Sequence, residues 1–209
     1  MDGTLFDCSN AIGEAYARAA KRLSKITGEE VPSPSIIKIQ SVLGNTPEQF
    51  FPVLFPSVSK DLWERVAVMC TEELAVDVRQ KKGNLYDGVL ELFERLYREG
   101  WSILIASNGK RVYLDSVLET YGLDRYLAMR PITVEDRGVN TKSDIVRRYR
   151  ENLAIKENLY MVGDRTSDLV AARDNGAFFI GCVFGHASVD ETAGADAVVH
   201  SIGEITGVI

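Results

Sequence analysis

The chain has 209 residues, of which 45% are hydrophobic and 26% charged, so it can bury one good core or a core plus an inserted subdomain. Its 24 Lys and Arg residues face 30 Asp and Glu residues, a net charge of -6 without a basic run, which disfavours nucleic-acid and anionic-membrane partners. No apolar stretch approaches the roughly 18 residues of a membrane span, and the start lacks the regions of a signal peptide. We therefore expect a soluble, cytoplasmic protein.

The cysteines and histidines show no metal-site pattern. Cys8, Cys70 and Cys182 are odd in number and far apart, without a CxxC spacing. We expect three reduced thiols, at least two of them buried. His186 and His200 do not have the spacing of a metal pair.

The first part of the chain has a helical pattern. Apolar residues recur at helical spacing from Ile12 to Ile26, and Gly28 stands where a left-handed cap would end that helix. A short helix is predicted within "VPSPSIIKIQ", another with Pro47 near its first turn, and a longer one in "SKDLWERVAVMCTEELA". Residues 10–80 therefore read as helical, without strands.

From "KKGNLYDG" onward, helices and short apolar runs alternate. A helical stripe from Val89 to Tyr97 ends at Gly100, and "WSILIAS" follows as a buried strand. The stripe from Leu114 to Tyr121 ends at Gly122 and leads to "MRPITV", a predicted strand despite its proline. Helices "SDIVRRYREN" and "SDLVAARDNG" then alternate with strands "LYMVGD" and "FFIGCVFG". This rhythm predicts an α/β fold, a doubly wound parallel sheet with helices on both faces.

Polar residues gather where the predicted strands end. In an open α/β sheet, ligands bind beyond the carboxyl ends of the strands. The turns there are "DGT", "ASNG", "NTKSD" and "GDRTSD", and the side chains of interest are Asp2, Thr4, Ser107, Asn108, Lys142, Asp164 and Asp168. Together they supply an acid, neutral donors, a cation and two carboxylates.

This set suits a phosphoryl group in transfer. Such a group needs a cation that neutralises its oxygens, donors that hold it and commonly a magnesium ion held by carboxylates. Mg²⁺ prefers oxygen ligands and keeps several waters, so Asp164 and Asp168 would suffice as side-chain ligands. Purely structural roles stay open for these residues. Lys142 could be a solvent-exposed helix residue, and Asp164 and Asp168 could cap the start of a helix.

The order of these turns resembles the haloacid dehalogenase-like hydrolases, and the resemblance covers almost the whole chain. That family has an Asp-x-Asp-Gly-Thr turn, a strand that ends in Ser or Thr, a lysine and a Gly-Asp-x-x-x-Asp turn. Here they look like "MDGT", Ser107, Lys142 and "GDRTSD", in the same order. The helical segment at about residues 10–80 is similar to the helical cap of the phosphoglycolate phosphatase and beta-phosphoglucomutase-like branch. The resemblance implies a core of residues 1–9 and 81–209 with a cap of residues 10–80.

Carried over to this sequence, the resemblance implies a role for each residue. Asp2 would be the general acid and base, and its backbone carbonyl would touch Mg²⁺. Thr4, Ser107, Asn108 and Lys142 would bind phosphate, with Lys142 also screening charge during catalysis. Asp164 would coordinate Mg²⁺, supported by Asp168. The implied reaction is hydrolysis of a small phosphorylated metabolite, a phosphate monoester, through an aspartyl-phosphate.

The sequence departs from the family at the nucleophile. The first aspartate of the family's first motif would immediately precede Met1, and the apolar strand before it is also absent from the sequence. We therefore expect about ten upstream residues, the usual length of such a strand with its turn, and an inactive or impaired chain without them.

Three other functions remain open on the sequence. A sugar-phosphate mutase would share every motif, whereas a dehalogenase would not need the acid that Asp2 supplies. A catalytically dead protein that binds phosphorylated ligands would fit the absent nucleophile.

Overall fold

The computed structural model describes residues 1–42, 47–156, 158–186 and 189–209. Its first half contains a short strand and then helices. In chain order the elements are β1 (Phe6–Asp7), α1 (Ser9–Thr27), α2 (Ile36–Val42), α3 (Pro47–Leu54), α4 (Trp63–Arg79), β2 (Asn84–Leu85), α5 (Val89–Arg98), α6 (Arg111–Tyr121), α7 (Lys142–Asn152), β3 (Tyr160–Gly163), α8 (Thr166–Asp174), β4 (Phe178–Cys182) and β5 (Ala197–Val199). Short 3-10 helices, such as Lys60–Leu62 and Ile202–Gly207, lie between or after them.

A parallel sheet forms the centre of the second half. Its strand order is β3-β4-β5, with Tyr160 opposite Phe178 and Ile180 opposite Ala197. Successive side chains of β4 pack in two different hydrophobic clusters. Ile180 packs with residues of α5, whereas Phe179 packs with residues of α7 and α8. Apolar packing on both faces explains why "FFIGC" is almost continuously apolar. The fold is α/β with a parallel sheet between helices, which confirms the predicted class.

Among the described residues, the segment predicted as strand "WSILIAS" forms two isolated bridges and no regular ladder. Ile103 pairs with Leu127, and Ala106 pairs with Ile132, both in parallel. The predicted strand "MRPITV" meets it at the second of these bridges only, and Pro131 within it has no N–H to donate. Regular ladders at these two places were therefore wrong predictions, although Ile103 and Ile105 are buried as expected.

A tyrosine hydroxyl replaces part of the missing ladder. The Tyr149 hydroxyl on α7 donates to the Ile105 carbonyl at 2.7 Å and accepts from the Ile132 N–H at 2.7 Å. Both contacts are buried, so water cannot readily satisfy these backbone groups. Tyr149 thus connects two extended segments that pair only at separate points.

The helices α1 to α4 are inserted between two short strands. β1 and β2 pair in antiparallel fashion, Phe6 with Leu85 and Asp7 with Asn84, and so form the base of the insertion. α1 packs on α4, and α4 also packs on α6, so one apolar cluster joins the insertion to Tyr113 and Val117. The helical character predicted for residues 10–80 is confirmed for the described residues.

Most helix ends agree with the sequence pattern. α1 ends at Gly28 and α6 at Gly122, both with positive φ as left-handed caps require. Two residues of the predicted apolar stripes lie on their helices but are exposed, Ile26 on α1 at 44% and Tyr97 on α5 at 57%. All three cysteines are free and buried, so the burial prediction is confirmed. Within the described residues, no helix combines the length and apolar character needed to cross a membrane.

We expect Tyr149→Phe to lower the free energy of unfolding by about 1–3 kcal/mol, because it leaves a buried carbonyl and a buried N–H unpaired. Urea unfolding would measure this change. The control is Tyr97→Phe, at a largely exposed ring, for which the change should stay within about 0.5 kcal/mol. Equal stability of the two variants would contradict the bridging role of the Tyr149 hydroxyl.

Candidate active site

A cavity of about 1140 Å³ opens between the inserted helices and the ends of the core strands. Six of the seven side chains selected from the sequence line it: Asp2, Ser107, Asn108, Lys142, Asp164 and Asp168. The seventh, Thr4, is buried behind Asp164. The fold thus gathers residues that are up to 166 positions apart in the sequence.

The Asp2-Gly3-Thr4 turn packs directly against the end of β3. The Thr4 hydroxyl donates to Asp164 Oδ1 at 3.0 Å in a buried contact. Gly3 has a φ of 74°, and a Cβ there would lie 2.1 Å from Asp164 Oδ2. Only glycine fits this position, because the conformation is left-handed and the carboxylate occupies the space of a side chain.

A third backbone segment closes over the same turn. A Cβ on Gly185 would lie 1.8 Å from the Gly3 carbonyl oxygen, so the loop after β4 also needs a glycine at this contact. The backbone N–H of His186 donates to Asp164 Oδ2 at 3.3 Å. His186 therefore contacts Asp164 through its backbone N–H, a role that the spacing of the histidine side chains does not predict.

Asp164 is an almost fully buried carboxylate, with 2% of its surface exposed. Burial raises its pKa above the ordinary range, and the nearby Asp168 carboxylate adds to the shift. A cation beside Asp164 would offset this cost, because it favours the ionised carboxylate.

Lys142 and Asp168 form a buried ion pair. Lys142 Nζ lies 2.5 Å from Asp168 Oδ1, and Nζ also lies 3.3 Å from the Ser167 hydroxyl. The other Asp168 oxygen accepts the Arg165 backbone N–H at 3.0 Å at the start of α8. Asp168 therefore orients the lysine and caps a helix at once.

A capping box fixes the start of the helix that carries Lys142. The Thr141 hydroxyl accepts the Asp144 N–H at 3.1 Å, and Asp144 Oδ2 accepts the Thr141 N–H at 3.0 Å. Lys142 is the first residue of α7 and points toward Asp168. The local sequence "TKSD" thus sets where the cation lies.

Ser107 and Asn108 follow the extended segment 101–106 and line the cavity. Ser107 is buried, and its hydroxyl accepts the Gly109 N–H at 3.1 Å, which holds the turn in place. The turn brings a hydroxyl and an amide side chain to the same cavity as Lys142.

Tyr113 is a site residue that the sequence reasoning missed. Its hydroxyl on α6 donates to Asp2 Oδ1 in a short contact. Burial and the Asp2 carboxylate raise the pKa of Tyr113 well above its usual range, so it stays a protonated donor. The helical spacing of apolar residues predicted a buried stripe from Leu114 to Tyr121, which does not include Tyr113. No sequence pattern connected position 113 with position 2.

Lys110 ties the inserted helices to the core at the rim of the cavity. Its ammonium group lies 2.7 Å from Glu64 Oε1 on α4 and 3.7 Å from Glu135 Oε1 on the core side. Lys110 is mostly buried, whereas Glu64 is largely exposed, so this pair contributes little to stability but fixes where the lysine lies.

In residues 1–42, 47–156, 158–186 and 189–209, no three or more His, Cys, Asp or Glu side chains cluster as a potential metal site. Asp2 and Asp164 line the same cavity, and the turn that carries Asp2 contacts Asp164. This is a sparse set of oxygen donors, which suits a cation that retains waters better than one that requires a full protein cage.

The fold and the groups at its strand ends define an α/β protein of a known hydrolase class. The family model of the haloacid dehalogenase-like hydrolases matches residues 1–182 of this sequence. The chain therefore belongs to that family. This confirms the resemblance drawn from the four motifs.

Individual proteins resemble the chain over most of its length. A 5'-nucleotidase of Pseudomonas aeruginosa is 25% identical over 192 residues, 91% of this chain and 83% of that protein. A phosphoglycolate phosphatase of Vibrio cholerae is 22% identical over 221 residues, 100% of this chain and 94% of that protein. Among solved structures, a haloacid dehalogenase-like family hydrolase from Streptococcus pneumoniae has a TM-score of 0.81 at 18% identity. That comparison covers 100% of this chain and 94% of the other and shows a shared fold.

We expect Gly163→Ala to lower the free energy of unfolding by about 1–3 kcal/mol through overpacking. The new Cβ would lie 2.3 Å from Asp168 Cγ, so the Lys142–Asp168 pair must move. Urea denaturation would measure the loss. Gly203→Ala is the control, since no heavy atom lies within 4 Å of its added Cβ. If Gly163→Ala were as stable as this control, the close approach of Asp168 would be disproved.

Proposed function

We propose that the protein hydrolyses a small phosphate monoester in a magnesium-dependent reaction through an aspartyl-phosphate. The observation that carries this proposal is the convergence of Asp2, Ser107, Lys142 and Asp164 on one cavity. Both relatives named above bear names of phosphate-releasing enzymes, which favours a phosphatase.

The proposed phosphate site uses a cation and neutral donors. Lys142 would neutralise phosphate oxygens, and its pairing with Asp168 holds the ammonium group in place. Ser107 and Asn108 would donate to the same oxygens from the turn after segment 101–106. Thr4 hydrogen-bonds Asp164, which supports an orienting role for Thr4 beside the phosphate.

The proposed Mg²⁺ ligands are the Asp164 carboxylate and the backbone carbonyl of Asp2, with Asp168 in support. When bound, Mg²⁺ would neutralise charge on the transferring phosphoryl group. The burial of Asp164 and its raised pKa support this placement, since a buried carboxylate gains most from a nearby cation. Both Asp168 oxygens already accept hydrogen bonds, from Lys142 and from the Arg165 backbone, so its direct contact with Mg²⁺ stays a prediction.

Asp2 is proposed to protonate the leaving oxygen and then to activate water. Its carboxylate faces the cavity, and the hydrogen bond from Tyr113 limits its orientations. Tyr113 is thus proposed as a positioning residue that acts through Asp2.

The nucleophile is proposed to be an aspartate two positions before Asp2, on an upstream strand. The sheet supports a place for that strand. In the described part of the chain, β3 has a strand partner only on its β4 side, and segment 101–106 packs in the same cores without pairing to it. A strand between them would supply the missing backbone partners.

The helices of residues 10–80 are proposed as a cap domain over a core of residues 1–9 and 81–209. Side chains of α1, α3 and α4 line the cavity, and Glu64 reaches Lys110 across its rim. A cap in this place would exclude water and select the leaving group.

We expect the polypeptide of residues 1–209 to release little phosphate, because acid–base catalysis alone is typically worth only about 10²–10⁴-fold. Adding the in-frame upstream residues should restore magnesium-dependent release. The measurement is phosphate release by both polypeptides on a panel of small phosphate esters. The matched control is the extended polypeptide with Asn at the proposed nucleophile. Equal, robust activity of the 1–209 polypeptide and the extended polypeptide would disprove the placement of the nucleophile. If neither polypeptide releases phosphate, a phosphate-binding protein is favoured.

In the extended protein, we expect Asp164→Asn to abolish magnesium-dependent turnover while the protein stays folded. The reason is that a neutral amide is a weaker Mg²⁺ ligand, whereas its shape matches the carboxylate. Steady-state rates at several Mg²⁺ concentrations and circular dichroism would check both parts. Asp124→Asn, at an exposed position away from the cavity, should leave the rate unchanged. Undiminished turnover of Asp164→Asn would refute the proposed metal ligand.

A further inference from the structure

The cavity is larger than a small leaving group needs. Its volume of about 1140 Å³ is at or above the range of about 300–1,000 Å³ that is typical of small-molecule sites. The proposed phosphate site occupies one corner, around Lys142 and Asp164. The remaining space extends along the inserted helices, so the leaving group can be considerably bulkier than a two-carbon acid.

Aromatic rings form one wall of this space. We call this wall, formed by Tyr16, Phe50, Phe51 and Trp63, the aromatic wall. All four residues line the cavity, and successive ring centroids are 6.0, 5.2 and 5.3 Å apart. The wall runs from α1 through α3 to α4.

The aromatic wall is held rigidly from behind. Phe51 is buried and stacks on Trp63 with an angle of 19° between the rings. The Trp63 indole N–H donates to the Val58 carbonyl at 3.3 Å, which fixes the ring further. Phe50 and Trp63 are only half-buried, so parts of both rings face the cavity. Because these rings are rigid and partly exposed, they form a stacking surface whose side chains would lose little conformational entropy when a ligand binds.

Charges outside the phosphate corner disfavour a second anionic group. The charged side chains that line this part are Glu48, Glu64, Glu135, Lys60 and Lys110. Lys110 is already paired with two of these glutamates, Glu64 and Glu135, so Lys60 and Glu48 are the remaining charges of this set. A substrate carboxylate or second phosphate would meet more negative than positive charge there.

We infer that the substrate is a phosphate monoester whose uncharged leaving group carries a planar aromatic base, as in the nucleoside 5'-monophosphates. This inference rests on the proposed function, because the phosphate must sit in the Lys142 corner. The base stacks on Phe50 or Trp63 of the aromatic wall, and the sugar spans the cavity. Lys60, whose ammonium group lies 5.5 Å from the centroid of the Trp63 ring, offers N–H donors to the acceptors of the base.

Calorimetric binding to residues 1–209 tests this inference without turnover. The probes are inorganic phosphate, glycerol phosphate, phosphoglycolate and adenosine, guanosine, cytidine and uridine 5'-monophosphates, each with and without Mg²⁺. We expect at least one nucleotide to bind about tenfold or more tightly than glycerol phosphate, as base–aromatic stacking allows. Phosphoglycolate should show no such advantage.

Variants assign the preference to the aromatic wall. Trp63→Leu should reduce the ratio of nucleotide to glycerol phosphate affinity by about tenfold and leave inorganic phosphate binding unchanged, which also shows that the variant is folded. Phe50→Leu is the second variant if Trp63→Leu does not fold. Trp101→Leu is the matched control, because Trp101 packs on Tyr160 outside the cavity.

The outcomes separate this inference from the proposed function. If phosphate and all esters bind with similar affinity, or if both wall variants keep the nucleotide preference, the substrate class is wrong and the phosphate site stands. If no phosphate compound binds, or if Lys142→Ala binds inorganic phosphate as tightly as the unchanged protein, the proposed function fails and the substrate inference fails with it.

Discussion

The close approach of three backbone segments around Asp164 is the constraint on which the site depends. The Gly3 turn, the end of β3 and the loop after β4 meet so tightly that a Cβ on Gly3 or Gly185 would lie about 2 Å from its neighbour. Distances of this kind exclude every residue except glycine. The Thr4 hydroxyl and the His186 N–H can then donate hydrogen bonds to the buried Asp164 carboxylate.

The two buried carboxylates near this contact, Asp168 and Asp164, differ in how their charge is compensated. Lys142 is paired with Asp168, and Asp168 is anchored on the first turn of α8, so that pair is largely compensated. Asp164 has neutral donors and a more distant Arg165 guanidinium at 3.7 Å, and burial raises its pKa. An added cation would favour the ionised form of this buried carboxylate.

Much of the fold could be predicted from local patterns. Helix ends at Gly28 and Gly122 and the strand "LYMVGD" follow from backbone conformations and apolar runs that are encoded within a few residues. The segments 101–107 and 129–134 could not be predicted in the same way. Whether an apolar run becomes a strand depends on which backbone lies beside it, and here single bridges and the Tyr149 hydroxyl take the place of a ladder.

The sequence by itself determined six of the polar side chains that line the cavity, because motif order and residue type singled out the carboxylates, the lysine, the hydroxyl and the amide. Only the tertiary structure decided how they are supported. Tyr113 contacts Asp2 from 111 positions away, and Lys110 meets Glu64 of the inserted helices. Such contacts depend on how helices pack in three dimensions, and no spacing along a single element specifies them.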